Sequence, residues 1–179
     1  MEERDEDRLF GELIRLYGEE LLRLAFTYVK NHTVSEDIVQ DVFIKAFEKR
    51  KEFRGDATYR TYLYRITINK CHDYVRSWTY KNSMVLDMLH EVFKGSSSTE
   101  EIVLKNKEKL VIAESVLHLK TKYREVIVLY YYKEFQIEEI AALLQCPPNT
   151  VKTRLRRGKG LLRDYFHGEE DYFHEKFSN

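Results

Sequence analysis

Gln136-Ile-Glu-Glu-Ile-Ala-Ala-Leu-Leu144, then Gln-Cys-Pro-Pro-Asn, then Thr150-Val-Lys-Thr-Arg-Leu-Arg-Arg157 is the stretch that decides the architecture. Ile137, Ile140, Ala141 and Leu144 recur at helical spacing, so the first segment reads as a short helix with one apolar face. Ala141 is the small residue needed where a second helix crosses closely. Pro147 and Pro148 forbid continuation of that helix and suit a turn or a new helix start. In the second segment Val151 and Leu155 lie four apart and form an apolar back. Lys152, Thr153, Arg156 and Arg157 occupy the remaining faces. A helix that enters the major groove must be apolar behind and basic or hydrogen-bonding in front, because it meets base edges and phosphates. The other reading is an ordinary pair of packed helices with a basic outer surface.

Working outward, the charge distribution agrees with a nucleic-acid partner although the chain of 179 residues is neutral overall, with 30 Lys/Arg and 30 Asp/Glu. From Asn149 to Arg163 there are six cations (Lys152, Arg154, Arg156, Arg157, Lys159, Arg163) and no acid. From Lys45 to Lys81 ten Lys/Arg face four Asp/Glu, and the balancing acids sit at the two ends. Phosphate binding requires a local basic stripe, whatever the whole-chain sum. With only 7 Gly and 2 Pro, and many Leu, Ile, Lys, Glu and Arg, the chain favours helices throughout.

Two apolar-periodic blocks flank a weaker middle. In the first, Leu9, Leu13, Leu16 and Tyr17, then Leu21, Leu24, Ala25, Tyr28 and Val29, recur at helical spacing. After a break at Lys30-Asn31-His32-Thr33, Ser35 reads as an N-cap with Glu36 and Asp37 in the first turn, where the helix dipole favours acids. Ile38, Val39, Val42, Phe43, Ala46 and Phe47 give that helix its apolar stripe. Asp37, Gln40, Asp41 and Lys45 lie on its polar side. After a short loop at Phe53-Arg-Gly-Asp56, the next helix is expected over about Thr58–Ser77. Gly95-Ser-Ser-Ser-Thr99 reads as a flexible linker, preceded by a short amphipathic stretch from Met84 to Val92. The prediction is an all-α chain of two small helical domains, 7–78 and 108–168, joined by a linker over 79–107, the second domain carrying the helix-turn-helix.

Three stretches resemble bacterial sigma factors. Lys122-Tyr-Arg-Glu-Val-Ile-Val-Leu-Tyr-Tyr-Tyr132, Glu138-Glu-Ile-Ala141 and Thr150–Arg157 are similar to sigma region four, whose helix-turn-helix reads the minus-thirty-five promoter element. Ser35-Glu-Asp-Ile-Val-Gln-Asp-Val-Phe-Ile-Lys-Ala-Phe47 resembles region two, where a helix docks on core RNA polymerase. Phe53-Arg-Gly-Asp56 with Arg60–Arg76 resembles the part that melts and reads the minus-ten element. The resemblance implies core-polymerase contacts at Asp37, Gln40, Asp41 and Lys45. It implies minus-ten contacts at Phe53, Arg54, Arg60, Tyr62, Arg65, Asn69 and Arg76, and minus-thirty-five contacts at Lys152, Thr153, Arg156 and Arg157, with Thr150 near a phosphate. The chemistry suits strand opening, which needs apolar or aromatic surfaces for unstacked bases and cations along the single strand; Tyr62 and Leu63 are expected to share packing and DNA roles. Asp73 joins Asn69 and Arg76 on one side, or bonds a neighbouring helix. The family pattern is departed from at Gln145 and Asn149, where glycine is frequent, and at Tyr62, where tryptophan is usual.

Nothing resembles the extra middle domain of larger sigma factors, which points to the extracytoplasmic-function group. Membership implies control by an anti-sigma factor, commonly membrane-anchored, and no cofactor or small-molecule substrate. A free-standing regulator that binds its operator without polymerase is the rival reading. An enzyme has little to stand on: Cys71 and His72 are adjacent and point about 100° apart on a helix, no histidine or cysteine shows metal-ligand spacing, and no glycine-rich phosphate loop occurs. The acidic N-terminus lacks a signal-peptide layout and no apolar run approaches a membrane span, so a cytoplasmic location is expected. Whether the aromatic tail from Tyr165 to Phe177 packs is left open.

Overall fold

Asn31, extended at φ −138° and ψ 123°, separates the first two helices, α1 (Glu2–Val29) and α2 (His32–Glu48). Its Oδ1 accepts the Val34 N–H at 3.0 Å, the bond that an N-cap side chain makes. Helix α2 therefore starts four residues earlier than Ser35 as its cap would place it. Ser35 is buried inside the first turns and its hydroxyl donates to the Asn31 carbonyl at 2.6 Å. Both residues have capping chemistry, and the one that follows Lys30 in left-handed backbone (φ 54°) takes the role. Glu36 and Asp37 consequently lie past the first turn.

The computed structural model describes residues 2–52, 58–81 and 111–177, with side chains over 8–52, 58–77 and 111–166. The expected loop at 53–56 and the linker over 79–107, with its amphipathic stretch, fall mostly or wholly outside the described residues. Among the described residues the architecture is all-α, as the breaker-poor composition predicts.

One unit is built on α1, α2 and α3 (Tyr59–Lys81), which pack on one another. Thr58 stands just before α3, its Oγ1 accepting the Thr61 N–H. Leu21, Leu24, Ala25, Val42, Ala46, Leu63, Tyr64 and Ile68 form the dry interior. Phe10 and Phe47 meet edge-to-face at 5.1 Å between ring centres. The apolar stripe of α1 differs from the expected one: Phe10, Leu13, Leu21, Leu24 and Tyr28 are buried, whereas Leu9 is 38% and Leu16 69% exposed. Tyr64 is fully buried, and that burial pushes its phenol pKa upward. Leu63 is likewise inaccessible and serves packing alone.

The other unit is built on α4 (residues 111–118), α5 (Thr121–Ile127) and α7 (Pro148–Phe177), with α5 packed along α7. Arg124 is buried at the α4–α5 corner, donating to the Leu117 carbonyl at 2.6 Å and to Thr121 Oγ1 at 3.2 Å. A cation there satisfies a helix C-terminal carbonyl and suits the dipole. After Ile127 the backbone widens into a π-helix, Val128–Tyr132, marked by Lys133 N–H donating to Val128 O at 3.1 Å. Residues 138–147 group with the first unit, and there the short helix α6 (Ile137–Leu143) buries Ile140, Ala141 and Leu143. It ends with Gln145 at φ 51° and Cys146 N–H donating to Ala141 O at 3.0 Å, a left-handed helix stop built without glycine. Pro148 is the first residue of α7, where a missing N–H costs nothing. The tail left open by the sequence continues α7 as helix to Phe177.

Candidate nucleic-acid interface

Helix α7 presents two distinct sides over its first three turns. Val151, Leu155 and Gly158 are buried, while Lys152, Thr153, Arg156 and Arg157 are exposed and Thr150 is half-buried. Burying Val151 and Leu155 stabilises the seat of this helix by roughly 1.5–3 kcal/mol each. Gly158 has a steric reason: a Cβ there would come within 3.1 Å of Ile127 Cγ1, so its absence lets α7 approach α5 closely.

An ion pair helps to fix that seat, and a second polar contact lies at the surface. Arg154 Nη1 donates to Glu125 Oε1 at 3.0 Å, with the Glu125 side chain only 5% exposed. Arg154, one of the six cations of the basic run, is thus partly withdrawn into the structure. Arg157 donates a hydrogen bond to Tyr123, which lowers the tyrosine's pKa. Neither pairing was legible from sequence, because each joins residues about thirty positions apart with no local signature.

On α2 the side opposite the buried Ile38, Val39, Val42, Phe43 and Ala46 carries Asp37, Gln40, Asp41 and Lys45, all exposed. Asp41 Oδ2 accepts from Lys70 Nζ of α3 at 2.7 Å. Sequence reasoning missed Ile44, which is 57% exposed amid this polar side, and Ile14 of α1, 50% exposed. They line an open, mainly apolar groove of about 400 Å³ with Gly18, Leu22, Val39 and Phe43, and Gln40 stands at its edge. An exposed apolar patch rimmed by polar groups is the signature of a protein contact.

On α3, Tyr62, Arg65, Asn69 and Arg76 fall within about 60° of one another around the axis. The last three are exposed and Tyr62 is half-buried, its pKa raised chiefly by burial. Arg60 falls on the other side of the helix, with its guanidinium 5.4 Å from the centre of the Tyr64 ring. It therefore lies apart from that row. Phe53 and Arg54 lie outside the described residues.

Residues 13–79 match Sigma-70 region 2, and residues 109–162 match Sigma-70, region 4. The chain belongs to the sigma-70 family, in its extracytoplasmic-function group. This sigma factor is 32% identical to the ECF RNA polymerase sigma factor SigW of Bacillus subtilis (strain 168), over 86% of its own length and 87% of that protein's. It is 30% identical to the RNA polymerase sigma-H factor of Pseudomonas aeruginosa, over 88% and 86%. Its fold is similar to that of CnrH, solved in complex with the cytosolic domain of CnrY, at a TM-score of 0.65 and 26% identity, covering 90% of each chain. It also resembles the sigma factor RpoE, solved with the anti-sigma factor NepR from Bartonella quintana, at a TM-score of 0.72 and 21% identity, covering 88% of this chain and 96% of that one.

As a sigma factor the chain binds core RNA polymerase and promoter DNA and directs transcription initiation. Among the described residues no group of three or more His, Cys, Asp or Glu is arranged to hold a metal ion, and no helix is long and apolar enough to cross a membrane. The Cys71 thiol is buried and pushed up to about 12 by that burial, and the His72 ring meets Tyr28 edge-on at 5.4 Å. A thiol held protonated at neutral pH is a packing group rather than a nucleophile.

Proposed function

We propose that this sigma factor divides promoter reading between two segments, 7–78 and 108–168, connected by 79–107. The observation that supports this most directly is the two-sidedness of α7: apolar and buried behind, with Lys152, Thr153, Arg156 and Arg157 exposed in front. These four read the duplex at the minus-thirty-five element, with Thr150 near a phosphate at the helix start. Tyr62, Arg65, Asn69 and Arg76 of α3 follow the melted minus-ten strand, joined by Phe53 and Arg54. Arg60, turned towards Tyr64, acts by holding the start of α3 in place. Asp37, Gln40, Asp41 and Lys45 meet core polymerase, and the adjoining groove with Ile14 and Ile44 supplies the apolar part of that contact.

The protein works in the cytoplasm and is held inactive by an anti-sigma factor. That reading is supported by the similarity to RpoE and CnrH, the first solved with an anti-sigma factor and the second with the cytosolic domain of CnrY. Promoter-dependent transcription by purified core polymerase, with and without this protein, tests the division of labour. Transcripts should require the protein, and Gln40→Ala with Asp41→Ala should abolish them by preventing holoenzyme assembly. If the protein alone shifts a specific duplex tightly and the α2 variant transcribes normally, the assignment of α2 is wrong.

A further inference from the structure

Lys152, Arg156, Lys159 and Arg163 follow one another at intervals of four, three and four residues, so they form a single row within about 60° around α7. All four are exposed, and no acid occurs between Asn149 and Arg163. Arg163 Nε lies 4.0 Å from Asp164 Oδ1 with both side chains 72% exposed, a loose pair that a phosphate would outcompete. The row forms one wall of an open cleft of about 580 Å³, whose other wall carries Tyr130, Tyr131 and Ile137. Tyr130 is 36% and Tyr131 50% exposed, and phenol hydroxyls donate readily to phosphate oxygens. Gly160 also lines the cleft, and nothing lies within 4 Å of the position a Cβ would take there, so a backbone can come close.

The length of the row decides what it can hold. From Lys152 to Arg163 it spans about 17 Å along the helix axis, whereas the major groove is about 12 Å wide. With the Lys152 end among base edges, the Lys159 and Arg163 end lies at the phosphates bordering the groove. We propose that Lys159 and Arg163, with Tyr130, form a phosphate track that continues the base-reading row and grips the DNA backbone beside the minus-thirty-five element. This rests on the reading of α7 as the DNA-contacting helix. It adds a sequence-independent hold to a surface whose other members specify bases, and it commits the cleft to a nucleic-acid backbone rather than an acidic protein segment.

The test is closed-complex formation by reconstituted holoenzyme on a promoter duplex, titrated with salt, for wild type and for Lys159→Gln/Arg163→Gln. Each phosphate contact contributes about 0.9 to the slope of log affinity against log salt. The double variant should lower that slope by about 2. Between about 50 and 200 mM salt, wild type then loses about ten-fold more affinity than the variant. The loss should be equal on a duplex with altered minus-thirty-five bases, and Tyr130→Phe should give a smaller loss of the same kind. Lys122→Gln, which removes an exposed cation outside the cleft, should leave the slope unchanged. An unchanged slope in the double variant, or weakened assembly with core polymerase in its place, overturns the proposal and assigns the cleft to a protein. A wild-type holoenzyme with no promoter preference overturns the underlying reading instead, and is recognised without any variant.

Discussion

Helices α3 and α7 are both long, both basic and both assigned to DNA, yet they hold their cations in different ways. Helix α3 buries residues around more than half of its circumference, including Leu63, Tyr64, Ile66, Thr67, Ile68 and Cys71. Its charges are therefore distributed among tasks: Arg60 lies over a core tyrosine, Lys70 is engaged with Asp41, and only a narrow strip from Arg65 to Arg76 faces outward. Helix α7 rests on Val151, Leu155 and Gly158 and leaves most of its surface outside. Only Arg154 is drawn inward, by Glu125. Deep embedding gives α3 a fixed platform with aromatic neighbours, which suits holding unstacked bases. Shallow seating gives α7 a projecting ridge, which suits entry into a groove.

The largest effect that would sharpen this contrast is expected at the seat of α7. Arg154→Ala removes the guanidinium from beside the buried Glu125 carboxylate, and urea unfolding followed by circular dichroism should show a loss of roughly 2–3 kcal/mol, below the full cost of an enclosed pair because Arg154 is partly exposed. A loss below about 0.5 kcal/mol would mean that α7 is held by its apolar contacts alone. Next come the ridge residues: Thr153→Ala or Arg156→Ala should cost about 1–3 kcal/mol on the preferred minus-thirty-five sequence and relax the choice of base at one position, read by competition among duplexes. A uniform loss across sequences would move those residues to the phosphate track. Gln145→Gly should raise stability by about 1 kcal/mol, seen as a higher Tm, because the left-handed backbone at φ 51° disfavours a Cβ. The smallest effect belongs to α3: a double-mutant cycle on Asp41→Asn and Lys70→Met should return a coupling of about 0.2–1 kcal/mol, as Asp41 is 61% exposed. A larger coupling would tie the polymerase-facing and strand-facing helices more firmly than a surface pair allows.

What the sequence made legible follows the same division. The ridge of α7 could be read because Val151 and Leu155 stand alone among cations, and a stripe without acids leaves little choice of face. The polar side of α2 was equally clear against its unbroken apolar stripe. Within α3 and α1 the apolar and polar residues are mixed on every turn, so the spacing admitted more than one stripe. Leu16 fitted the period as well as Phe10 does, and only packing selects between them. Arg60 was assigned to the minus-ten element with Arg65 and Arg76 by the family resemblance, which carries no information on where each side chain falls around the helix. The start of α2 was misplaced because Asn31, Thr33 and Ser35 can all cap a helix. The Glu125–Arg154 and Asp41–Lys70 pairs span twenty-nine residues each, beyond anything that local pattern encodes.

The π-helix at Val128–Tyr132 has a consequence for how this region tolerates insertions and deletions. Such a segment packs one more residue into its turn than an α-helix does, and here it is the last turn, because residues 133–136 leave the helix. Val128 and Leu129 are buried, Tyr130, Tyr131 and Tyr132 are exposed, and Phe135 is buried again once the chain has left the helix. Removing one tyrosine would leave the buried Val126, Ile127, Val128 and Leu129 in their phase, because the change falls after them in the final turn. The tyrosine triplet is thus a place where this helix could shorten by a single residue without turning its buried face.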